Sequence, residues 1–125
     1  MTQTRYAEVA AYITKDGSEI RELMHPSLHG NRLQSLAEAT VQPGARTQHH
    51  RHAHTEELYH VSAGSGIMML GDTCFPVAVG DTVLITPGTP HSIEATGAKP
   101  LRILCCCSPP YSHDDTELLP VTGAS

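Results

Sequence analysis

Residues 49–57 read His49-His50-Arg51-His52-Ala53-His54-Thr55-Glu56-Glu57, with four imidazoles and two carboxylates in nine positions. Crowded imidazoles repel one another when protonated and gain little packing when neutral, so this density needs a chemical reason. Neutral imidazoles beside a carboxylate form a donor set for first-row transition metals. If residues 46–52 form a strand, His50 and His52 share one face while His49 and Arg51 share the other. In the following segment Glu57, Tyr59 and Val61 share a face, with Leu58 and His60 opposite. A hairpin closing in register between the two would set Glu57 beside His50 and His52, with Tyr59 one layer deeper. Another ligand has to come from elsewhere, and His91, directly after the rigid turn Pro87-Gly88-Thr89-Pro90, is placed to supply it. Pairing His52 with His54 instead leaves the following acid out of spacing and ranks second.

The elements that must carry these residues read as short strands between turns. Glu57–Ser62 alternates and ends at Gly64-Ser65-Gly66. Ile67–Leu70 is an apolar run closed by Gly71-Asp72, a hairpin signal. Cys74–Val79 contains Pro76, which confines it to an edge or an irregular position. Thr82–Ile85, His91–Ala95 and Leu101–Cys107 follow, separated by Gly, Pro and Asp turns. Glu19–Met24 reads as a short strand, with a helical turn as the alternative. Leu33–Val41 is ambiguous between helix and strand, and the Pro43-Gly44 turn favours strand. This series points to an all-β sandwich or barrel. The proline-rich, acidic tail from Ser108 is expected to pack through Tyr111 and then fray.

Two spaced motifs make the sequence similar to the cupin superfamily. The family pattern G-x5-HxH-x4-E-x6-G falls on Gly44, His50, His52, Glu57 and Gly64 without a gap. The second pattern, G-x5-PxG-x2-H-x3-N, falls on Gly80, Thr86-Pro87-Gly88, His91 and Ala95. Thr86 and Ala95 depart from the family's Pro and Asn, and neither position is a usual ligand. The fifteen residues 65–79 between the motifs match the short spacer of small microbial cupins. The resemblance implies a single-domain cupin double-stranded β-helix, or jelly-roll barrel, over 33–107. Residues 1–32 would then be an extension whose short strands pack on the barrel or on a dimer partner, and 108–125 a tail. It also implies one divalent metal (Fe, Mn, Ni, Co, Cu or Zn) held by His50, His52, Glu57 and His91, with open positions for a substrate oxygen, dioxygen or water.

Other residues admit two readings. Tyr59 is either a core tyrosine or the catalytic general base or hydrogen-bonding group beside the metal, whose charge would lower a nearby phenol's pKa. Of Cys105, Cys106 and Cys107, the first and third share a strand face. Buried apolar packing is the favoured reading and a thiol bordering the site the other. His49, His54 and His60 are expected outside the ligand set. Arg46 and Arg102 would hold a substrate anion only if they faced inward, and as lone arginines near strand ends they are expected in solvent. The charged segments DGSEIREL and YSHDDTELL flank the barrel and suggest strand exchange or lid-like packing.

Bulk properties bound the function. A chain of 125 residues with 39% apolar content suits one core. A net charge of −5 argues against nucleic acid. Neither a signal-peptide pattern nor a membrane-length apolar run is present. Three adjacent cysteines cannot make a disulfide framework and suit a reducing compartment. The expectation is a cytoplasmic homodimer binding a small oxygen-rich metabolite such as a hydroxy acid, keto acid or sugar derivative. As an enzyme it would be an isomerase, a lyase or a dioxygenase. The other class is a non-enzymatic module that binds or senses a ligand with the same barrel and metal, and a purely structural metal is a third possibility.

Overall fold

From Glu56 to Ala63 exposed and buried side chains alternate, as a strand with one face on a core requires. The same period governs Leu101–Ser108, whose odd-numbered residues are buried. The structure is a computed structural model and describes residues 2–120. In chain order its strands are β1 (Tyr12–Ile13), β2 (Glu19–Met24), β3 (Ser35–Val41), β4 (His50–His52), β5 (Glu56–Ala63), β6 (Ser65–Leu70), β7 (Thr73–Ala78), β8 (Thr82–Ile85), β9 (His91–Ala95), β10 (Leu101–Ser108) and β11 (Thr116–Leu118). A 3-10 turn at Tyr6–Glu8 and a short helix, α1 (Pro26–His29), complete the regular elements.

Antiparallel pairing builds two sheets, in the orders β1-β2-β3-β10-β5-β8 and β11-β4-β9-β6-β7. The central pairs are nested: β6 with β7, β5 with β8, β4 with β9 and β3 with β10. One long hairpin, folded so that successive pairs fall in alternate sheets, is a jelly roll. Between the sheets lies an apolar core that includes Val61, Met68, Ile85, Ile93, Leu101 and Ile103. Burying each of these side chains stabilises the fold by roughly 1.5–3 kcal/mol. Strand β7 is an edge, so Pro76, paired only with Ile67, leaves no inner ladder bond unmade.

Strands β4 and β5 form no hairpin; they lie in opposite sheets. The corner between them is pinned from the tail, where Asp115 takes bonds from the backbone of Ala53, His54 and Thr55 and Pro109 takes the Thr55 hydroxyl. The strand is also shorter than 46–52, since it pairs only over His50–His52, with Arg46 making an isolated bridge to Glu94. The tail packs through Tyr111 and then adds β11 beside β4, a strand that its proline-rich composition hid. The fraying expected after Tyr111 is thus not found as far as Pro120, and 121–125 lie outside the described residues.

Gly64 fixes the β5–β6 turn. Its φ is +79°, and an added Cβ would stand 2.5 Å from the Pro100 carbonyl oxygen. A left-handed conformation and a backbone collision both oppose a side chain there. Gly64→Ala is therefore expected to cost about 3 kcal/mol in urea unfolding. A change below about 1 kcal/mol would contradict this account.

Candidate metal centre

The nested hairpin sets His50 on β4 directly opposite His91 on β9. His52, two residues on, points into the same interior, and Glu57 and Tyr59 enter from β5 in the facing sheet. Glu57 thus reaches the histidines across the sandwich rather than along a hairpin. Its Oε1 lies 3.2 Å from His52 Nε2 and 3.7 Å from His91 Nε2. One nitrogen from each of His50, His52 and His91 lies within 4.8 Å of the others, and all three residues are buried.

Each ring is held from behind. His50 Nδ1 meets the Gln48 carbonyl at 2.7 Å, and His91 Nδ1 meets the Thr89 carbonyl at 2.9 Å. Carbonyls only accept, so both Nδ1 atoms carry the proton. His52 Nδ1 lies 3.0 Å from Thr116 Oγ1, whose own hydrogen is given to the Ser112 carbonyl. That hydroxyl therefore accepts, and His52 is the same tautomer. Three Nε2 lone pairs and a carboxylate oxygen face one another, and Glu57 Oε1 and His91 Nε2 are buried without a hydrogen-bond partner. Acceptors gathered without a donor call for a cation. Tethering the far nitrogen to fix the tautomer is how metal-binding histidines are oriented. The donor set fits a divalent transition metal.

The surroundings are narrow and mostly apolar. A cavity with about 40 Å³ of water-accessible space is lined in part by Ile20, Ala37, Ala39, Val41, Ile103 and Cys105. Tyr59 is buried on this lining, its hydroxyl makes no hydrogen bond among the described residues, and burial pushes its pKa well above the usual phenol value. Cys107 Sγ donates to Glu57 Oε2 at 3.3 Å. Burial pushes the Cys105 and Cys107 thiols far up; both line the cavity, while Cys106 is half-buried on the opposite face. The Gly88 N–H donates to the His52 carbonyl at 2.7 Å, joining the turn before His91 to the strand of His50 and His52.

The remaining candidates lie outside. His54 is exposed and paired with Asp115, His60 bonds Thr82 on the outer face, and His49 stays outside the cluster. Arg102 is half-exposed and binds Glu38 and the Tyr6 hydroxyl, and Arg46 is exposed. Sequence reasoning missed Thr116, Gln48 and Thr89, which orient the rings. It also missed Asp16, whose Oδ2 lies 3.6 Å from His50 Nε2. Only the flanking charge of DGSEIREL hinted at Asp16.

A family model described as a cupin domain matches residues 37–107. The chain is a cupin. This cupin is 52% identical over 117 residues to "Uncharacterized protein MJ1618" of Methanocaldococcus jannaschii, covering 94% of each chain. It superposes on the polyketide cyclase RemF of Streptomyces resistomycificus with a TM-score of 0.81 at 22% identity, over 98% of this chain and 88% of that one. Oxalate decarboxylase of Bacillus subtilis gives a TM-score of 0.82 at 20% identity, over 95% of this cupin and 32% of that chain. At these identities the two structures show the fold.

The buried site makes the metal-free cupin acid-sensitive. Burial, with the charge of His91 adding, lowers the His50 pKa from 6.5 to about 4. Between those values the unfolded chain takes up the proton and the folded one does not, so stability falls as pH falls from 6.5 towards 4. Urea unfolding of the metal-free protein should lose on the order of 3 kcal/mol between pH 7 and pH 4, and His50→Gln should remove most of that slope. A flat profile would contradict the buried neutral imidazole.

Proposed function

We propose that this cupin is a metal-dependent enzyme of the isomerase or lyase type, acting on a small oxygen-rich metabolite. One divalent transition metal, from Fe, Mn, Ni, Co, Cu and Zn, is held by His50, His52, Glu57 and His91. The observation that carries this reading is the set of buried acceptors with no donor among them. When bound, such an ion polarises a substrate oxygen as a Lewis acid.

The protein's own groups do the rest. Tyr59 shares the inward face of Glu57 and lines the cavity; without the ion burial holds it protonated, so it can donate a hydrogen bond to a substrate oxygen, and the charge of a bound ion would lower its pKa towards the general-base role. Cys107 holds Glu57 Oε2 and leaves Oε1 turned towards the histidines. Among the described residues no Lys or Arg lines the cavity, whereas Asp16, Glu22 and Glu57 do. A neutral keto or hydroxy compound suits that lining better than a dianion, and this favours chemistry like a cyclase's over chemistry like an oxalate decarboxylase's. The small cavity favours one second reading, a non-enzymatic module that holds a compact ligand.

The reading also makes the protein a cytoplasmic homodimer. Its free cysteines support a reducing compartment. An uncharged row supports the pairing: Met24, Leu36, Cys106, Leu58 and Leu84 stand side by side across five strands on the outer face of the larger sheet. No helix among the described residues is long and apolar enough to cross a membrane.

Elemental analysis of the purified protein should find about one transition metal per chain, lost in both His50→Ala and His91→Ala. Failure to take up any metal on reconstitution would overturn the reading. In a screen of enolisable keto and hydroxy compounds, turnover without oxygen uptake supports the isomerase or lyase. Oxygen consumption shows a dioxygenase, and saturable binding without product under every metal shows the binding module. In sedimentation, Leu58→Glu should convert a dimer to a monomer, and a wild-type monomer would remove the pairing.

A further inference from the structure

Asp16 lies on the turn between β1 and β2, outside the segment that matches the cupin family. Its sequence neighbours give no metal-binding pattern, yet the fold delivers it to the histidines. The turn is closed by bonds from Gly17 N to the Thr14 carbonyl and from Thr14 N to the Ser18 carbonyl. Gly17 has a φ of +93°, which a side chain would oppose. Two further contacts dock the turn on the barrel. Gln48 N donates to the Asp16 carbonyl at 2.8 Å, and Lys15 Nζ donates to the carbonyls of Thr116 and His113. The residues that receive this turn are thus the ones that orient His50 and His52.

The carboxylate itself is aimed. Asp16 Oδ1 accepts from Ser18 N at 2.9 Å and from Ser18 Oγ at 2.6 Å, which fixes the plane of the group. Oδ2 is left facing His50 Nε2 at 3.6 Å. His50 carries its proton on Nδ1, so the pair is two acceptors. Glu57 Oε1 stands in the same relation to His52 and His91, at 3.2 and 3.7 Å. Two donors each about 2.1 Å from one ion stand about 3–4 Å apart, and these three spacings fall in that interval; the atoms lying within 4.8 Å of one another belong to the three histidines alone, so both carboxylates have to close in on a bound ion.

We propose that Asp16 is a fifth protein donor to the metal centre. The proposal rests on the metal-centre reading above. Two carboxylates neutralise a divalent ion, and the added hard oxygen shifts selectivity towards Mn and Fe. On a six-coordinate ion one position stays open instead of two. A substrate that binds through one oxygen fits beside Asp16, whereas a chelating substrate has to displace it. Asp16 thereby decides which of the two classes binds readily.

The test uses the full chain, stripped of metal and titrated with Co2+, whose visible spectrum reports coordination number. Asp16→Asn keeps an acceptor for Ser18 and removes the charge; Asp16→Ser keeps a turn-forming hydroxyl but is too short to reach the ion. Both should weaken Co2+ binding by about tenfold or more. Both should also intensify the visible bands at saturation, as a centre with one ligand fewer does. The saturated spectrum reads coordination independently of any loss of fold stability. Wild-type affinity and spectrum in both variants would overturn the proposal and leave the four-donor centre standing, provided His50→Ala abolishes binding. If the wild-type chain binds Co2+ no better than His50→Ala, the centre itself fails, and Asp16 with it.

Discussion

Three imidazole nitrogens and a carboxylate oxygen, all turned towards one another in a buried space, form an arrangement that the isolated chain would never choose. Glu57 Oε1 and His91 Nε2 have left water without finding a donor, which in a protein interior costs a few kcal/mol per group. The arrangement holds because each ring is tied by its other nitrogen to a rigid acceptor: the Gln48 carbonyl, the Thr116 hydroxyl and the Thr89 carbonyl. Rotating any ring to relieve the repulsion would strand a buried N–H. The fold therefore stores an unmet electrostatic demand that a cation satisfies, and this demand gives the surrounding strands their functional meaning.

The nested hairpin answers the question of how residues from distant stretches meet. Pairing β4 with β9 sets His50 against His91 in one sheet, and the corner at 53–55 carries the chain across so that Glu57 arrives from the other. Apolar pairs such as Met68 and Ile93 fix the register behind the site. A one-residue slip of β9 would turn His91 outward and Ser92 inward, so core packing and ligand placement are enforced together.

Much of this was readable in the sequence, for definable reasons. A strand's period of two made the shared face of His50 and His52 and that of Glu57 and Tyr59 legible. Glycine and proline punctuation marked most turns, and Pro76 identified its own edge. Partnership was not legible. Nothing in HHRHAHTEE distinguishes a hairpin turn from a corner between sheets, because what decides is Asp115, some sixty residues away. Strand β11 escaped because three residues in a polar tail carry no periodic signal. Asp16 escaped because its role comes from where its turn docks, and docking depends on long-range contacts such as Lys15 with Thr116.

The segments flanking the barrel come together over its mouth. The Thr14 and Tyr111 hydroxyls meet at 3.1 Å, His25 meets the Tyr111 carbonyl, and Lys15 spans to Thr116. Divergence can therefore act on two levels. The inner strands, bound by register and packing, hold the chemistry nearly fixed. Each arm is paired along a barrel strand, β2 on β3 and β11 on β4, and the arms also bond one another through Thr14, Lys15, His25, Tyr111, His113 and Thr116, so a change in one is felt by the other. Selection for a new ligand would tend to rewrite the arms as a matched pair, leaving the barrel beneath them as an inherited engine.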